Sequence, residues 1–371
     1  MEFPKLDELL ALPLYDLGAA DWEPPFLDAM REVTTFHFAH CQPYRRLCEN
    51  RGFDPANLNR IEDIPYLPTS LFKEGLFISI PEDEVFRQIK SSATTSGVSS
   101  RVGLDKVTSR RQSKCFNKVV MNRIGAQRRK FIVLDEPSTI ARSEMVSARS
   151  STIRSLLFCA SDAVACLNDD GGALSLNEDL LEEQLQASIA ANEPVMLFGF
   201  TYILYTFVVK KILAGDKRYA LPPGSKVIHI GGWKKLEAEK VTPEKLIDDC
   251  AQAFGVTAGD VVDIYGFTEQ SGLIYPTCEQ GVRHSIVWSD VIVRDPVTLE
   301  PLPHGQEGLL QFITPIQTSY PGHSVLTEDM GVILGVDDCA CGRKGKTFKM
   351  TGRAAGAEVR GCGDIMADAF A

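Results

Sequence analysis

At 371 residues, 44% hydrophobic and 24% charged, the chain can build two or three core-bearing subdomains and is too apolar to be disordered. Acidic residues outnumber basic ones 49 to 39, and the net charge of −10 argues against general nucleic-acid binding through phosphate neutralisation. The start, MEFPKLDELL, lacks the basic-then-apolar run of a secretory signal, and the most apolar stretch (195–209) is shorter than the ~20 residues that span a bilayer. A cytoplasmic protein without stable membrane insertion is expected, and its ten cysteines read as reduced thiols rather than a disulfide framework.

In chain order, residues 25–49 carry a broken helical pattern that ends near Gly52, and IEDIPYLPTSLFKEG (61–75) reads as a proline-pinned extended segment. TTSGVSS (94–100) then gathers hydroxyls around one glycine. Such a stretch can turn backbone N–H groups and hydroxyls toward an anion, although a plain surface turn uses the same residues. A helix with a basic face is predicted over 105–125, and KFIVLDEP (130–137) as a buried strand. The alternation continues with a strand at 193–200, a helix at 201–215 closing on Gly215, and a strand at 225–232, which favours a largely parallel α/β sheet. Thr242, Pro243 and Glu244 open a further helix, with Gly255 past its end. From about 285 short strands separated by Pro and Gly turns replace this pattern.

Four segments offer polar groups suited to chemistry. YGFTEQSG (265–272) follows an apolar run, so it emerges at the carboxyl end of a strand, where open α/β sheets bind ligands. Glu269 there can hold Mg²⁺; otherwise the segment is a polar loop. The paired glycines of IGGWK (230–234) allow close backbone approach to a flat ligand or simply a tight turn. Asp329 in LTEDMG can accept hydrogen bonds from a ribose diol, and Arg353 in MTGRAAG is a candidate partner or a solvated surface arginine.

Taken in order, IPYLPTSLFKEG, TTSGVSS, HIGGWKK, DIYGFTEQSGLIYP, SYPGHSVLTEDMG and CACGRKGK followed by TGR resemble the adenylate-forming enzymes. Within that superfamily the chain most resembles the acyl-protein synthetases of bacterial bioluminescence operons, which are long-chain-fatty-acid ligases, and more distantly the phenylacetate-CoA ligases. The resemblance implies an α/β fold: the large N-terminal domain of the adenylate-forming fold, with doubly wound α/β subdomains and a small β-rich subdomain, lacking the usual C-terminal lid domain. The expected division is residues 1–284 for the α/β core with N-terminal helices, 285–352 for the β-rich subdomain and 353–371 for a short mobile arm.

The resemblance also implies roles. Thr94, Thr95, Ser96, Gly97, Ser99 and Ser100 would wrap the phosphates of ATP. Gly231, Gly232 and Tyr265, with Gly266 and Thr268 beside them, would bracket the nucleotide; Glu269 would hold Mg²⁺; Asp329 and Arg353 would bind the ribose. The chain departs from the family pattern in two places: alanines stand where an acid usually follows the G-R, and the phosphate loop lacks a second glycine and lysine. ACGRKGKT (340–347) comes within one residue of a P-loop, but the residues after it are poor helix openers, and it reads as a turn.

Cys278, His284, Cys339 and Cys341 supply a Cys₃His donor set for zinc, beside the reading of four reduced side chains in loops with no metal. Cys362, in VRGCGD, has Arg360 two residues away to favour its thiolate and matches the acyl-carrying cysteine of the acyl-protein synthetases. The other six, Cys41, Cys48, Cys115, Cys159, Cys166 and Cys250, read as small hydrophobes.

The expected function is therefore ATP-dependent, Mg²⁺-assisted activation of a carboxylic acid, with a fatty acid as the expected substrate. The acyl chain would lie against 195–209, and the acyl group would move to Cys362 and on to a partner such as an acyl-protein reductase or carrier. The alternatives are a CoA ligase, an aryl-acid adenylating enzyme and a non-catalytic nucleotide-binding protein.

Overall fold

The computed structural model describes residues 2–91, 99–141, 148–170, 173–233 and 239–354. Three helices come first, α1 (Pro4–Ala11), α2 (Ala19–His40) and α3 (Gln42–Asn50), and the break at Cys41 accounts for the interrupted pattern in the sequence. The extended segment expected over 61–75 is only partly so. A two-residue strand β1 (Leu67–Pro68) is followed by a short helix α4 (Leu71–Glu74). Pro65 and Pro68 restrict only the residues before them, and the proline-free turn beyond coils to bury Phe72 completely.

Strands β2 (Arg87–Lys90) and β3 (Arg101–Leu104) pair antiparallel on either side of the Thr/Ser/Gly stretch. Ser99 and Ser100 belong to the described residues, whereas Thr94, Thr95, Ser96 and Gly97 lie outside them. Helix α5 (Lys106–Ile124) starts where Asp105 Oδ1 accepts the Thr108 N–H at 2.7 Å, and it closes on Gly125 at φ +84°.

The central sheet grows from alternating strands and helices: β4 (Arg129–Leu134), α6 (Ala148–Leu156), β5 (Ala160–Ala165), the hairpin β6 (Leu167–Asp170) and β7 (Ala173–Leu176), α7 (Glu178–Ala191) and β8 (Val195–Phe200). The helix expected over 201–215 is wound as a π-helix from Ile203 to Val209 before α8 (Lys210–Ala214). Then come β9 (Lys226–Ile230), α9 (Pro243–Phe254), β10 (Val261–Tyr265) and β11 (Tyr275–Pro276). The spatial order is β11-β10-β9-β8-β4-β5, parallel except for β11.

Period-two alternation sends Phe131, Val133, Met196, Phe198, Ile228 and Val262 to the face packed with α5 and α6. Ile132, Leu134, Val195, Leu197, Val227 and Val261 go to the opposite face, with α7 and α9. Both faces are thus apolar, as a doubly wound sheet requires, and each fully buried Val, Leu, Ile or Phe contributes about 1.5–3 kcal/mol. The 195–200 side chains are consumed by these two cores.

The second sheet contains β12 (Arg283–His284), β13 (Asp290–Arg294), β14 (Glu307–Ile313), β15 (Ser324–Val336) and β16 (Lys346–Arg353) in the antiparallel order β12-β16-β15-β14-β13, with β1 parallel to β15. Lys346 and Thr347 begin a strand rather than a helix, so the P-loop-like run is a turn, as expected. Tyr275 packs against Phe312 at 5.2 Å and Phe348 at 5.4 Å, which seats the second sheet on the edge of the first. This contact sets the carboxyl end of β10 beside β15. Among the described residues no helix is long and apolar enough to cross a membrane.

Candidate active site

Strands β8, β9 and β10 run parallel with Phe200 opposite Ile230 and Ile230 opposite Ile264, so Thr201, Gly231 and Tyr265 reach the same carboxyl edge. Ligands bind at this edge in open α/β sheets. Gly231 has φ +86°, a backbone conformation that side chains rarely adopt. At Gly266 a Cβ would press to 3.2 Å on both Ile274 and the Leu273 carbonyl, so a side chain would be a tight fit in the turn after β10.

The Tyr265 hydroxyl donates to Asp329 Oδ2 at 2.7 Å. Asp329 faces Arg353 across the β15/β16 ladder, and Arg353 Nε lies 3.3 Å from Asp329 Oδ1. The same guanidinium donates to Glu328 Oε2 at 2.8 Å. Burial pushes the Asp329 carboxyl up, while the Tyr265 hydrogen bond and the Arg353 charge work against that shift. Burial, and then the Asp329 charge, carry the Tyr265 phenol well above its ordinary range, so Tyr265 remains a donor. A carboxylate fixed on two sides in this way still has lone pairs to offer a vicinal diol.

Thr268 opens the 3-10 turn Thr268–Gln270, and Glu269 at its centre is buried. Burial raises the Glu269 carboxyl, opposed by a hydrogen bond from Ser100 at the end of the Thr/Ser/Gly stretch. The turn is braced from behind. Tyr320 donates to the Glu269 carbonyl at 3.0 Å, and Gln270 Nε2 donates to the Phe312 and Gly322 carbonyls, each at 2.9 Å. A Cβ on Gly322 would sit 2.6 Å from the Glu269 carbonyl. Sequence reading assigned no role to Tyr320, Gly322 or Gln270; the glycine inside SYPGH was the available signal.

Ser100, Tyr265, Glu269, Asp329 and Arg353 are therefore brought together, with Gly231 and Gly232 along the same edge. Cys362 lies outside the described residues.

Cys278, His284, Cys339 and Cys341 form a separate cluster, with one ligand atom from each inside a span of 4.8 Å. Cys278 and Cys339 sulfurs are 3.9 Å apart, and Cys341 Sγ is 3.3 Å from His284 Nε2. Tetrahedral zinc with Zn–S bonds of 2.3 Å spaces its sulfurs by about 3.8 Å, so the donor set fits that ion. Without a cation, burial pushes the Cys278 thiol up and drives Cys339 to about 12. A bound metal reverses this by stabilising thiolates. The other six cysteines are buried, as expected of small hydrophobes, and burial raises every one of their thiols, Cys115 and Cys166 to about 12.

Comparison with known proteins shows the fold and the family. A long-chain-fatty-acid–luciferin-component ligase of Vibrio harveyi is 25% identical over 343 residues, spanning 90% of this chain and 85% of its own. A phenylacetate-coenzyme A ligase of Thermus thermophilus is 26% identical over 350 residues, spanning 91% of this chain and 70% of its own. The crystal structure of an open conformation of 2-hydroxyisobutyryl-CoA ligase, in complex with 2-HIB-AMP and CoA, superposes with a TM-score of 0.68 at 18% identity over 91% of this chain and 76% of that one. The fold is thus that of the adenylate-forming enzymes. The family profile of acyl-protein synthetase, LuxE, matches residues 15–371, and the chain belongs to that family.

Proposed function

We propose that the chain converts a fatty acid and ATP into an acyl-adenylate and pyrophosphate, then carries the acyl group on Cys362 to a partner protein. The observation that supports this most is the Tyr265–Asp329–Arg353 arrangement beside buried Glu269, drawn from separate segments to the carboxyl edge of the sheet. Asp329 would accept the ribose hydroxyls, Gly231, Gly232 and Tyr265 would flank adenine, and the Thr94–Ser100 stretch would wrap the β- and γ-phosphates. Mg²⁺ held by Glu269 would supply positive charge to the phosphoryl oxygens.

In the first step a carboxylate oxygen attacks the α-phosphorus and pyrophosphate leaves. In the second the Cys362 thiolate attacks the acyl carbonyl and AMP leaves, giving a thioester. Removing a single preorganised donor from such a site costs about 3–4 kcal/mol of barrier, so each of these contacts matters to turnover. Zinc in the Cys₃His cluster would act structurally, because four protein donors leave no open position for chemistry.

The test is acid-dependent ATP–pyrophosphate exchange over a panel of fatty and aryl acids, followed by peptide mass mapping of acylated protein. Fatty acids should support exchange and leave an adduct on Cys362. An adduct on another cysteine would remove Cys362 as the carrier, and turnover that CoA stimulates and Cys362→Ser leaves intact would replace the carrier-thiol reading with that of a CoA ligase. No exchange with any acid would remove the adenylation reading itself.

A further inference from the structure

Beneath the Gly231–Gly232 turn, Thr201 and His229 form a buried polar pair at the ends of β8 and β9. Thr201 Oγ1 lies 2.6 Å from the Gly231 carbonyl and 2.9 Å from His229 Nδ1. A threonine hydroxyl has one proton, and a carbonyl can only accept. The proton therefore points to Gly231, and His229 must donate to Thr201 through an Nδ1–H. Asp263 on β10 stands 3.7 Å from the same ring nitrogen and favours a proton there. Asp263 is in turn gripped by Arg283. Burial lowers the pKa of His229, in keeping with a neutral ring that carries its one proton on Nδ1.

This arrangement has a consequence for the ligand side of the turn. Across a planar trans peptide the C=O of one residue and the N–H of the next point in opposite directions. With its carbonyl drawn down onto Thr201, Gly231 leaves the Gly232 N–H directed away from the protein interior. Among the described residues none accepts a hydrogen bond from Gly232, and the space where its Cβ would stand is open.

We propose that Thr201 and His229 are positioning residues that aim the Gly232 N–H into the crevice as a donor to an acceptor atom of the bound adenylate. This rests on the adenylation reading for the identity of the ligand but not for the geometry of the pair.

Two measurements test it. Imidazole ¹⁵N NMR of the full chain, with His229→Gln to assign the signal, should show His229 in the Nδ1–H tautomer. Calorimetric titration with an acyl-sulfamoyl adenosine, a stable mimic of an acyl-adenylate, should give about tenfold weaker binding for Thr201→Val, the loss of one aligned hydrogen bond, and near wild-type binding for Thr201→Ser. The Nε2–H tautomer, or Thr201→Val with unchanged affinity, overturns the proposal, as does equal weakening by Thr201→Ser. A wild-type chain that does not bind the mimic removes the adenylation reading, and the tautomer alone then decides whether the lock exists.

Discussion

Tyr265 and Asp329 are 64 residues apart in sequence and meet through a 2.7 Å hydrogen bond that joins the end of the parallel sheet to the middle of the antiparallel one. The contact spends one acceptor site of the carboxylate on the phenol, and Arg353 approaches the other oxygen. Two lone-pair directions remain, enough for the two hydroxyls of a ribose.

Asp329→Ala should therefore act on ATP rather than on the acid. Losing a charged acceptor for two hydroxyls costs about 2–3 kcal/mol, which corresponds to ~30–150-fold in KM for ATP. Tyr265→Phe leaves the carboxylate in place and should raise KM by about tenfold or less. Initial rates of pyrophosphate exchange at varied ATP and varied acid separate the two substrates; an increase confined to the acid would contradict the ribose role.

Gly322 supports Glu269 from behind, and it has no room for a methyl group. Its Cβ would lie 2.4 Å from Tyr320 Cε2 as well as 2.6 Å from the Glu269 carbonyl. Gly322→Ala should destabilise the fold by about 1–3 kcal/mol through overpacking and displace the Glu269 turn. Urea unfolding reports the first effect. Mg²⁺ titration of turnover reports the second, with the dependence shifted to higher metal concentration.

Much of this architecture was legible because local rules act alone there. Thr242 caps α9 where expected, α5 starts within a residue of its predicted beginning, and the strand alternation divides cleanly between two cores. The 203–209 segment was legible as helix but not as π-helix, since apolar periodicity at this length does not separate the two windings. At the site, Tyr265 and Glu269 stood out in a polar segment after an apolar run, and Asp329 as an acid just before a β run. Thr201, His229 and Tyr320 did not, because their partners, the Gly231 carbonyl, the Thr201 hydroxyl and the Glu269 carbonyl, are brought to them by tertiary folding. No residue pattern encodes such a partner.

The Cys₃His cluster predicts that protein purified without chelator contains about one zinc per chain, the stoichiometry of a closed four-ligand site. Cys339→Ser or Cys341→Ser should remove the metal and lower thermal stability, because the ligands tie the β11–β12 connection to the turn between β15 and β16. Elemental analysis beside a melting curve checks both statements. Metal-free wild type with the same melting temperature would show that the four side chains are merely neighbours.

The final prediction concerns acid. His37 is fully buried, bonded through Nδ1 to Ser79 at 2.7 Å and through Nε2 to the Gln317 carbonyl at 2.8 Å, and its ring stacks on His323 at 4.6 Å. Burial lowers His37 to about 3, with the Gln317 hydrogen bond opposing and His40 contributing, and burial also carries His323 well below its ordinary range. Unfolded histidine titrates near pH ~6.5. Between that value and the folded pKa the unfolded chain binds more protons than the native one, so stability falls as pH drops through the window from 6.5 toward 3. Above pH ~6.5 His37 contributes no pH dependence. Within the window each such histidine costs up to about 1.4 kcal/mol per pH unit. His37→Gln, with no titratable ring, should flatten the slope of unfolding free energy against pH by close to one proton between pH ~6 and ~4.5 while leaving the slope above ~7 unchanged. Urea titrations at these pH values measure it; equal slopes in variant and wild type would mean that His37 is protonated in the native fold or does not control its acid stability.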